Sequence, residues 1–343
     1  MGDTSRHLTY FKVENFKRFE SFEMKDLGQF NLIVGDNNVG KTSVLEALLV
    51  DENEMVFFNS LAEALYFRKI KSTYTIEDVK LYANYATSNN RLFDYSIDYE
   101  WSNDNGHTKL SVNINERNRT IYFRHDGVLK LVPGNREQYN FSEPIQRYNL
   151  PFNFIPFYKG HDADLATFYS KLQLNRSLKK SFIKSLNSLI PKLEDIELSI
   201  PYPDSTPYLI VYQNEMDSAI PLALFGDGTI KLFRLLAEII LNKGGRLMID
   251  EVDTGIYFKR FKEFWKVILL TARENDVQLF MTTHNEECIR YFKEVLEEEL
   301  PELQKDVRNI TLVENSKTKE VTAHTFDYDQ FEHAINVGNE IRG

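Results

Sequence analysis

The feature that most constrains the fold of this chain is a glycine-rich segment near its amino terminus that fits the pattern G-x-x-x-x-G-K-[ST]. The apolar run 30–34 before it predicts a buried strand, and the run 44–50 after it has the apolar spacing of a helix. This order of strand, loop and helix is the context that a phosphate-binding loop (P-loop) requires. The residues predicted to contact the nucleotide here are Gly35, Asp36, Asn37, Asn38, Val39, Gly40, Lys41, Thr42 and Ser43.

Each residue type in the P-loop has a physical role in binding phosphate. The two glycines let the backbone turn tightly and approach an anion, because no Cβ restricts their φ angles. Successive backbone N–H groups and the start of the helix then face the phosphates. We expect Lys41 to place its charge against the β- and γ-phosphates of ATP, and the hydroxyl of Thr42 to be a ligand of Mg²⁺.

The composition excludes several classes of protein. The 343 residues are 42% hydrophobic and 27% charged, the range of a folded globular protein rather than a disordered one. No apolar run approaches the roughly 20 residues of a membrane helix, and the first residues lack the apolar core of a signal peptide. Cys288 is the sole cysteine, which excludes an internal disulfide. We therefore expect a cytoplasmic protein with no membrane partner.

The charge of the chain bears on nucleic-acid binding. A formal net charge of −10 lowers the expectation of a strong nucleic-acid binder, since such proteins usually present a basic face. A basic cluster leaves two interpretations open: a local patch for DNA or, as we favour, the solvated face of a helix. The cluster consists of Lys159, Lys171, Arg176, Lys179, Lys180 and Lys184.

The pattern along the chain predicts one ATPase domain over 1–343 with an insertion after the P-loop helix. The insertion, 51–150, has a helical pattern followed by strands that alternate like antiparallel hairpins. Segment 8–13 alternates like an edge strand, and 162–189 is predicted to be helical and to end near Pro191. The last part, 300–343, is predicted to form a hairpin and a helix.

Two neighbouring acids follow a second buried strand and complete the chemistry that the P-loop begins. An apolar strand places Asp250 and Glu251 at the carboxyl end of a parallel sheet, where ligands bind in such folds. We expect Asp250 to hold Mg²⁺ through water, because Mg²⁺ keeps most of its hydration shell. Glu251 is then placed to orient and deprotonate the water that attacks the γ-phosphate.

Four segments occur in an order that resembles the ATP-binding-cassette (ABC) heads of the RecF/SMC/Rad50 and OLD group. They are the P-loop, 225–229, 247–251 and the pair Thr283-His284. The chain resembles in particular the stand-alone bacterial ATPases of the AAA15/AAA21 type, many of which belong to antiphage or abortive-infection systems. The resemblance implies an α/β P-loop NTPase fold of the ABC-ATPase head kind, with a parallel core sheet, an antiparallel β lobe and a helical lobe.

The resemblance also implies roles for residues outside the P-loop. Gly226, Asp227 and Gly228 correspond to the signature motif, which opens a helix against the γ-phosphate of an ATP bound to a second subunit. Two glycines at the start of a helix suit an anion. His284 resembles the switch histidine that hydrogen-bonds the γ-phosphate and senses its loss. Asp253 corresponds to the loop that reads across the dimer interface.

Some positions fit the family pattern less well. Segment 15–19 resembles the N-terminal hairpin of the group, which borders the adenine side of the bound nucleotide. For Arg18 this leaves two interpretations open, a contact with the nucleotide or a role on the surface. The chain has Asn285 where the family often has Ser, and Tyr257 where it often has His. The family's Q-loop glutamine is not placed, although Gln146 and Gln173 are candidates.

The function that the resemblance implies is an ATP-driven switch. Two chains, as a homodimer or within a higher homo-oligomer, sandwich ATP and Mg²⁺ between them and separate after hydrolysis. The chain extends about sixty residues beyond His284, too few for the Toprim nuclease domain of OLD-type relatives. We therefore expect a separate effector, a Toprim-type nuclease or a toxin, in antiphage defence. The main alternative is a RecF-like repair ATPase that clamps DNA; a small-molecule kinase and a nucleotide-locked scaffold are weaker alternatives.

Overall fold

The computed structural model describes residues 7–51, 53, 56–57, 60–61, 64, 81–83, 95–115, 120–131, 153–156, 164–187, 190–200, 202 and 206–337. The strands are β1 (Tyr10–Phe16), β2 (Phe19–Met24), β3 (Phe30–Gly35), β4 (Tyr95–Asn103), β5 (Gly106–Asn115), β6 (Thr120–His125), β7 (Val128–Leu131), β8 (Phe154–Ile155), β9 (Leu193–Ser199), β10 (Tyr208–Gln213), β11 (Ile220–Pro221), β12 (Arg246–Ile249), β13 (Gln278–Thr282), β14 (Val307–Glu314) and β15 (Val321–Phe326). The helices are α1 (Lys41–Ala47), α2 (Asp164–Gln173), α3 (Arg176–Leu186), α4 (Asp227–Leu241), α5 (Phe261–Glu274), α6 (Glu286–Glu298) and α7 (Tyr328–Asn336).

A six-stranded sheet in the order β15-β14-β3-β13-β12-β8 organises the molecule. The strands from β14 to β8 are parallel, and β15 is an antiparallel edge. Every residue of β3 is buried, as expected for a parallel strand that is covered on both faces. The predicted parallel core sheet is confirmed. Its carboxyl-terminal edge carries the P-loop after β3 and the two acids after β12.

The core sheet separates two apolar cores, because successive side chains of a strand point to opposite faces. Leu247 and Ile249 of β12 pack into the core formed with helices α2 to α7. Met248, between them, packs into the second core, formed with α1 and the strands of the β lobe. The end of β12 is therefore held from both sides, which fixes the position of the acids that follow it.

The β lobe is an antiparallel sheet in the order β2-β1-β4-β5-β6-β7, so the predicted antiparallel hairpins are confirmed. The prediction that 8–13 forms an edge strand is wrong. Strand β1 lies inside the sheet, where Val13 pairs with Phe22 of β2 on one side and with Tyr99 of β4 on the other. The alternation of apolar and polar residues indicates that one face of the strand is buried. It does not indicate that β1 also pairs with β4, which is distant in sequence.

The helical lobe contains α2, α3 and the small sheet β11-β10-β9. The prediction that 162–189 is helical is confirmed for the described residues, in the form of two helices, because α2 ends at Gln173 and α3 begins at Arg176. The side chain of Asn175 accepts hydrogen bonds from the backbone N–H groups of Ser177, at 3.0 Å, and Leu178, at 3.3 Å. An asparagine that caps new N–H groups in this way starts a new helix instead of continuing the old one.

The carboxyl-terminal hairpin belongs to the core sheet. Strand β14 pairs in parallel with β3, from Val307 opposite Phe30 to Leu312 opposite Gly35, at the start of the P-loop. Helix α7 follows, and Asp327 and Gln330 form a capping box at its start. The helical pattern predicted within 51–150 lies mostly outside the described residues. In the part of the chain that the structure describes, no helix combines the length and apolarity needed to cross a membrane.

Candidate functional site

The P-loop connects β3 to α1 through backbone conformations that favour glycine. Gly40 has a φ of 111° and caps α1. A Cβ on Gly40 would lie 3.1 Å from Cδ of Arg18 and 3.1 Å from Cζ of Phe19, so the turn between β1 and β2 packs directly against the loop. A Cβ on Gly35 would lie 2.8 Å from the carbonyl oxygen of Leu312. Both glycines of the motif are therefore required by their surroundings.

The ammonium of Lys41 lies over the P-loop backbone. Its Nζ donates hydrogen bonds to the carbonyl oxygens of Gly35, at 2.7 Å, and Asp36, at 2.9 Å. Burial lowers the pKa of Lys41, while the nearby carboxylates of Asp250 and Glu251 act in the opposite direction. The loop thus holds a lysine whose head lies close to both acids after β12.

Asp250 lies between two threonine hydroxyls. Thr42 donates to Oδ2 of Asp250 at 2.9 Å, and Thr282 donates to Oδ1 at 2.7 Å. Burial raises the pKa of Asp250, and the hydrogen bonds from Thr282 and Thr42 oppose that shift. Among the described residues, no group of three or more His, Cys, Asp or Glu could by itself hold a metal. A hydroxyl and one carboxylate fit Mg²⁺, which uses few protein oxygens together with substrate phosphates.

Glu251 follows Asp250 with its backbone in the left-handed region, at a φ of 44°. Its N–H donates to the hydroxyl of Thr282 at 2.8 Å, and its carbonyl oxygen accepts from Nζ of Lys231 at 2.8 Å. Its side chain accepts a hydrogen bond from Thr254 at 3.3 Å and lies 3.8 Å from Nδ1 of His284. The structure therefore places the predicted base and the predicted switch histidine next to each other.

The predicted interface residue Asp253 has its side chain turned into its own subunit. It is 8% exposed, and its Oδ1 accepts a hydrogen bond from the hydroxyl of Thr283 at 2.6 Å. Asn285, two residues further on, accepts from the N–H groups of Glu287 and Cys288 and so caps α6. Asparagine performs this capping task as well as the serine of the family pattern.

The signature-like segment begins α4. Gly226 has a φ of 82°, and no described atom lies within 4 Å of the position that its Cβ would take. Asp227 is the first residue of α4 and is exposed. A Cβ on Gly228 would lie 2.9 Å from the carbonyl oxygen of Gly255, in the loop that follows Glu251. Gly226 is therefore open to solvent, whereas Gly228 packs tightly against the loop that follows Glu251.

Arg18 joins the N-terminal hairpin to the P-loop. Its guanidinium donates to the carbonyl oxygen of Asn38 and forms an ion pair with Glu314 at the end of β14. Hydrogen bonds from Lys319 and Arg18 lower the pKa of Glu314. The neighbouring Lys17 forms an ion pair with the buried Glu46 of α1. The hairpin is thus bound to the P-loop, to α1 and to the end of β14.

Sequence reasoning missed two residues that hold this site together, Thr282 and Lys231, and it assigned Thr283 no role of its own. The two threonines end an otherwise apolar strand, and polar side chains at the carboxyl end of a parallel strand are a signal that could have identified them. Lys231 interrupts the apolar run that begins at Ile230 in α4, and a lysine on the buried side of a helix is the corresponding signal.

Comparisons with known proteins agree with this fold. The family model described as "AAA domain, putative AbiEii toxin, Type IV TA system" (AAA_21) matches residues 30–290. A protein of Helicobacter pylori named "ATP/GTP phosphatase" is 23% identical over 329 residues, which cover 84% of this chain and 88% of that protein.

Two solved structures show the same fold. An SMC head bound to the C-winged helix domain of ScpA has a TM-score of 0.56 and 13% identity, and the match covers 96% of this chain and 99% of the other. An SMC head bound to the C-terminal domain of ScpA from Pyrococcus furiosus has a TM-score of 0.54 and 10% identity, with the same coverage of 96% and 99%. With the family match over 30–290, these findings establish that the chain belongs to the AAA_21 family and is an ABC-type ATPase.

Proposed function

We propose that this ATPase binds ATP with Mg²⁺ at the P-loop and hydrolyses it with Glu251 as general base. The observation that carries the proposal is the 2.9 Å hydrogen bond between Thr42, at the start of α1, and Asp250, after β12. These two residues are 208 positions apart in sequence, and their contact brings together the two halves of a nucleotide site. Glu251 is the next residue along the chain, which supports its role beside the γ-phosphate.

The roles of the site residues follow from their chemistry. Lys41 and the loop N–H groups bind the β- and γ-phosphates, and Thr42 and Asp250 hold Mg²⁺. When bound, Mg²⁺ offsets the negative charge of the phosphate oxygens. Glu251 accepts a proton from water as the water oxygen bonds to the γ-phosphorus and the bond from that phosphorus to the β–γ bridging oxygen breaks.

His284 is the residue that responds to the γ-phosphate in this proposal. Its Nδ1 lies 3.8 Å from Oε1 of Glu251, so a phosphate beside Glu251 would also be within reach of the imidazole. A histidine can donate a hydrogen bond to the phosphate and lose it after phosphate release. This gives the site a group whose contacts differ before and after hydrolysis.

The proposed switch is a pair of chains that share their ATP sites. The open surface at Gly226 and the exposed Asp227 support a contact with the nucleotide of a second copy. Leu224, two residues earlier, is 74% exposed, which suits a surface that a second copy covers. Closure that depends on the γ-phosphate ends when hydrolysis removes it.

The proposed biological role is the control of a separately encoded effector, a Toprim-type nuclease or a toxin, in antiphage defence. The description of the family, which names a toxin and a type IV toxin–antitoxin system, supports this role. For the RecF-like alternative the chain offers less support. Two lysines of the basic cluster pair with acids, Lys179 with Asp195 at 2.8 Å and Lys184 with Glu274 at 3.6 Å.

The test of the proposed function is Glu251→Gln. This variant should bind ATP as the wild type does and lose about a thousandfold in kcat, because the amide cannot accept the proton of water. The measurements are steady-state phosphate release and the Kd of a fluorescent ATP analogue. Hydrolysis at the wild-type rate would show that the base is another residue.

A further inference from the structure

Lys231 is the fifth residue of α4 and lies behind the loop that carries Glu251. It is 4% exposed, and its Nζ donates to the carbonyl oxygen of Glu251 at 2.8 Å. Three residues earlier, Gly228 packs so closely on the same loop that a Cβ would lie 2.9 Å from the carbonyl oxygen of Gly255. Helix α4 is therefore attached to the loop 251–256 at two points. Lys231 bonds Glu251 at the start of the loop, and Gly228 packs against Gly255 near its end.

A buried lysine is costly unless its charge and its hydrogen bonds are used. Burial lowers the pKa of Lys231 to about 8, although Asp253, Glu251 and Asp250 all favour its protonated form. Methionine would fill a similar volume with no charge to bury. The presence of lysine at this position is therefore better explained by the bond it makes than by packing.

The hydrogen bond from Lys231 stabilises the backbone of Glu251, which adopts an unfavourable conformation. A side chain other than glycine at a φ of 44° occupies a conformation that the surrounding structure must hold in place. The hydroxyl of Thr282 accepts from the N–H of Glu251 at 2.8 Å. At the other end of the residue, its carbonyl oxygen accepts from the N–H of Thr254 at 3.1 Å as well as from Lys231. Lys231 is the member of this set that lies on a helix, whereas Thr282 ends a strand and Thr254 lies in the loop itself.

We propose that Lys231 is a positioning residue: it fixes the main chain of Glu251 and so directs its carboxylate at the attacking water. The inference rests on the proposed role of Glu251 as general base. Lys231 touches neither the nucleotide nor the reacting atoms in this proposal. Its effect on the rate is carried through the left-handed backbone of Glu251, and it also ties that backbone to the helix that Gly226 and Gly228 begin.

The experiment compares Lys231→Met with wild type, with Glu251→Gln and with the double variant, and Lys243→Met is the matched control. Lys243 is exposed just beyond the end of α4. We expect Lys231→Met to lower kcat about 10- to 100-fold, the range that misplacement of a reacting group by about 1 Å can cause. The Kd for ATP should stay within about threefold, and Lys243→Met should leave both values unchanged.

The double variant separates positioning from a general loss of structure. Residues that act as one unit show non-additive effects. In single-turnover measurements, Lys231→Met should therefore cause no further loss in the Glu251→Gln background. Two effects that multiply would overturn the inference, and so would a wild-type kcat in Lys231→Met.

The outcomes also distinguish this inference from the function on which it rests. If Glu251→Gln hydrolyses ATP normally, the assignment of the base fails. If Glu251→Gln is inactive and Lys231→Met is fully active, the base stands and the positioning role fails. Should circular dichroism show that Lys231→Met is unfolded, Lys231→Leu, which also lacks a donor, takes its place, with the same expected loss of kcat and the same contradicting result.

Discussion

The hydroxyl of Thr282 lies 2.7 Å from Oδ1 of Asp250 and donates a hydrogen bond to it. The same hydroxyl oxygen accepts the N–H of Glu251 at 2.8 Å. One side chain at the end of β13 therefore orients both acids at the end of β12. The hydroxyl can do both because a threonine oxygen is a donor and an acceptor at once. The proposed metal-binding acid, Asp250, and the proposed general base, Glu251, thus share a single support.

Thr282→Val keeps the shape of the side chain and removes both of these hydrogen bonds. We expect kcat to fall about 10- to 100-fold, because Asp250 and Glu251 lose their common support. Thr282→Ser, which keeps a hydroxyl, should retain most of the activity. Thr271→Val is the matched control, because Thr271 is also buried and its hydroxyl bonds Ser185 in the helical layer. Equal activity in all three variants would exclude the support role.

Gly40→Ala tests the fit between the P-loop and the N-terminal hairpin. At a φ of 111° the new methyl group would strain the backbone and lie 3.1 Å from the side chains of Arg18 and Phe19. We expect the affinity for ATP to fall at least about tenfold. Gly127→Ala is the control, since Gly127 also has a positive φ, 84°, but no described atom lies within 4 Å of its Cβ position. A similar ATP Kd in both variants would contradict the fit.

The stability of the protein should depend on pH through Lys231. Its folded pKa of about 8 lies below the ordinary value of 10.5, so between these values the unfolded chain binds more protons than the folded one. The free energy of unfolding of the wild type should therefore rise with pH, relative to Lys231→Met, by about 2 kcal/mol between pH 7 and pH 9.5. The acids and the thiol that face this amine are Asp253, Glu251, Asp250 and Cys288.

Urea unfolding of both proteins without nucleotide at the two pH values measures this effect. Lys243→Met should unfold with the pH dependence of the wild type, since Lys243 is exposed. A difference between wild type and Lys231→Met that stays constant with pH would mean that the amine does not titrate in this range.

Mixing two inactive variants tests whether ATP sites are shared between chains. The signature variant should be Asp227→Trp, because any side chain at Gly228 would clash with Gly255 of its own loop. Lys41→Ala supplies the inactive P-loop. Random pairing of equal amounts makes half of the dimers mixed, each with one intact site, so we expect about one quarter of the wild-type activity.

Asp104→Trp is the control for this mixture, because Asp104 is exposed in the turn between β4 and β5, more than a hundred residues before the signature-like segment. Mixed with Lys41→Ala, it should give no more activity than the two proteins assayed separately. No gain from the Asp227→Trp mixture would place each complete site within one chain.

The sequence predicted the parts of this molecule whose signals are local. The P-loop, the strand before it and the acids after β12 are each specified by a few neighbouring residues, and the structure places Thr42 beside Asp250. Lys231 and Thr282 were missed because their contacts with the acids join elements that are adjacent only in the folded chain. For the same reason the pairing of β1 with β4 was not foreseen.

The double attachment of α4 to the loop 251–256 has a consequence for a pair of chains. In the proposed pair, the glycines of one chain complete the nucleotide site of the other, while Lys231 connects those glycines to the base of their own chain. Each chain would then couple two ATP sites: the one that contains its own P-loop and Glu251, and the one in the partner chain that its glycines complete. The state of one ATP site would thereby influence the rate of hydrolysis at the other.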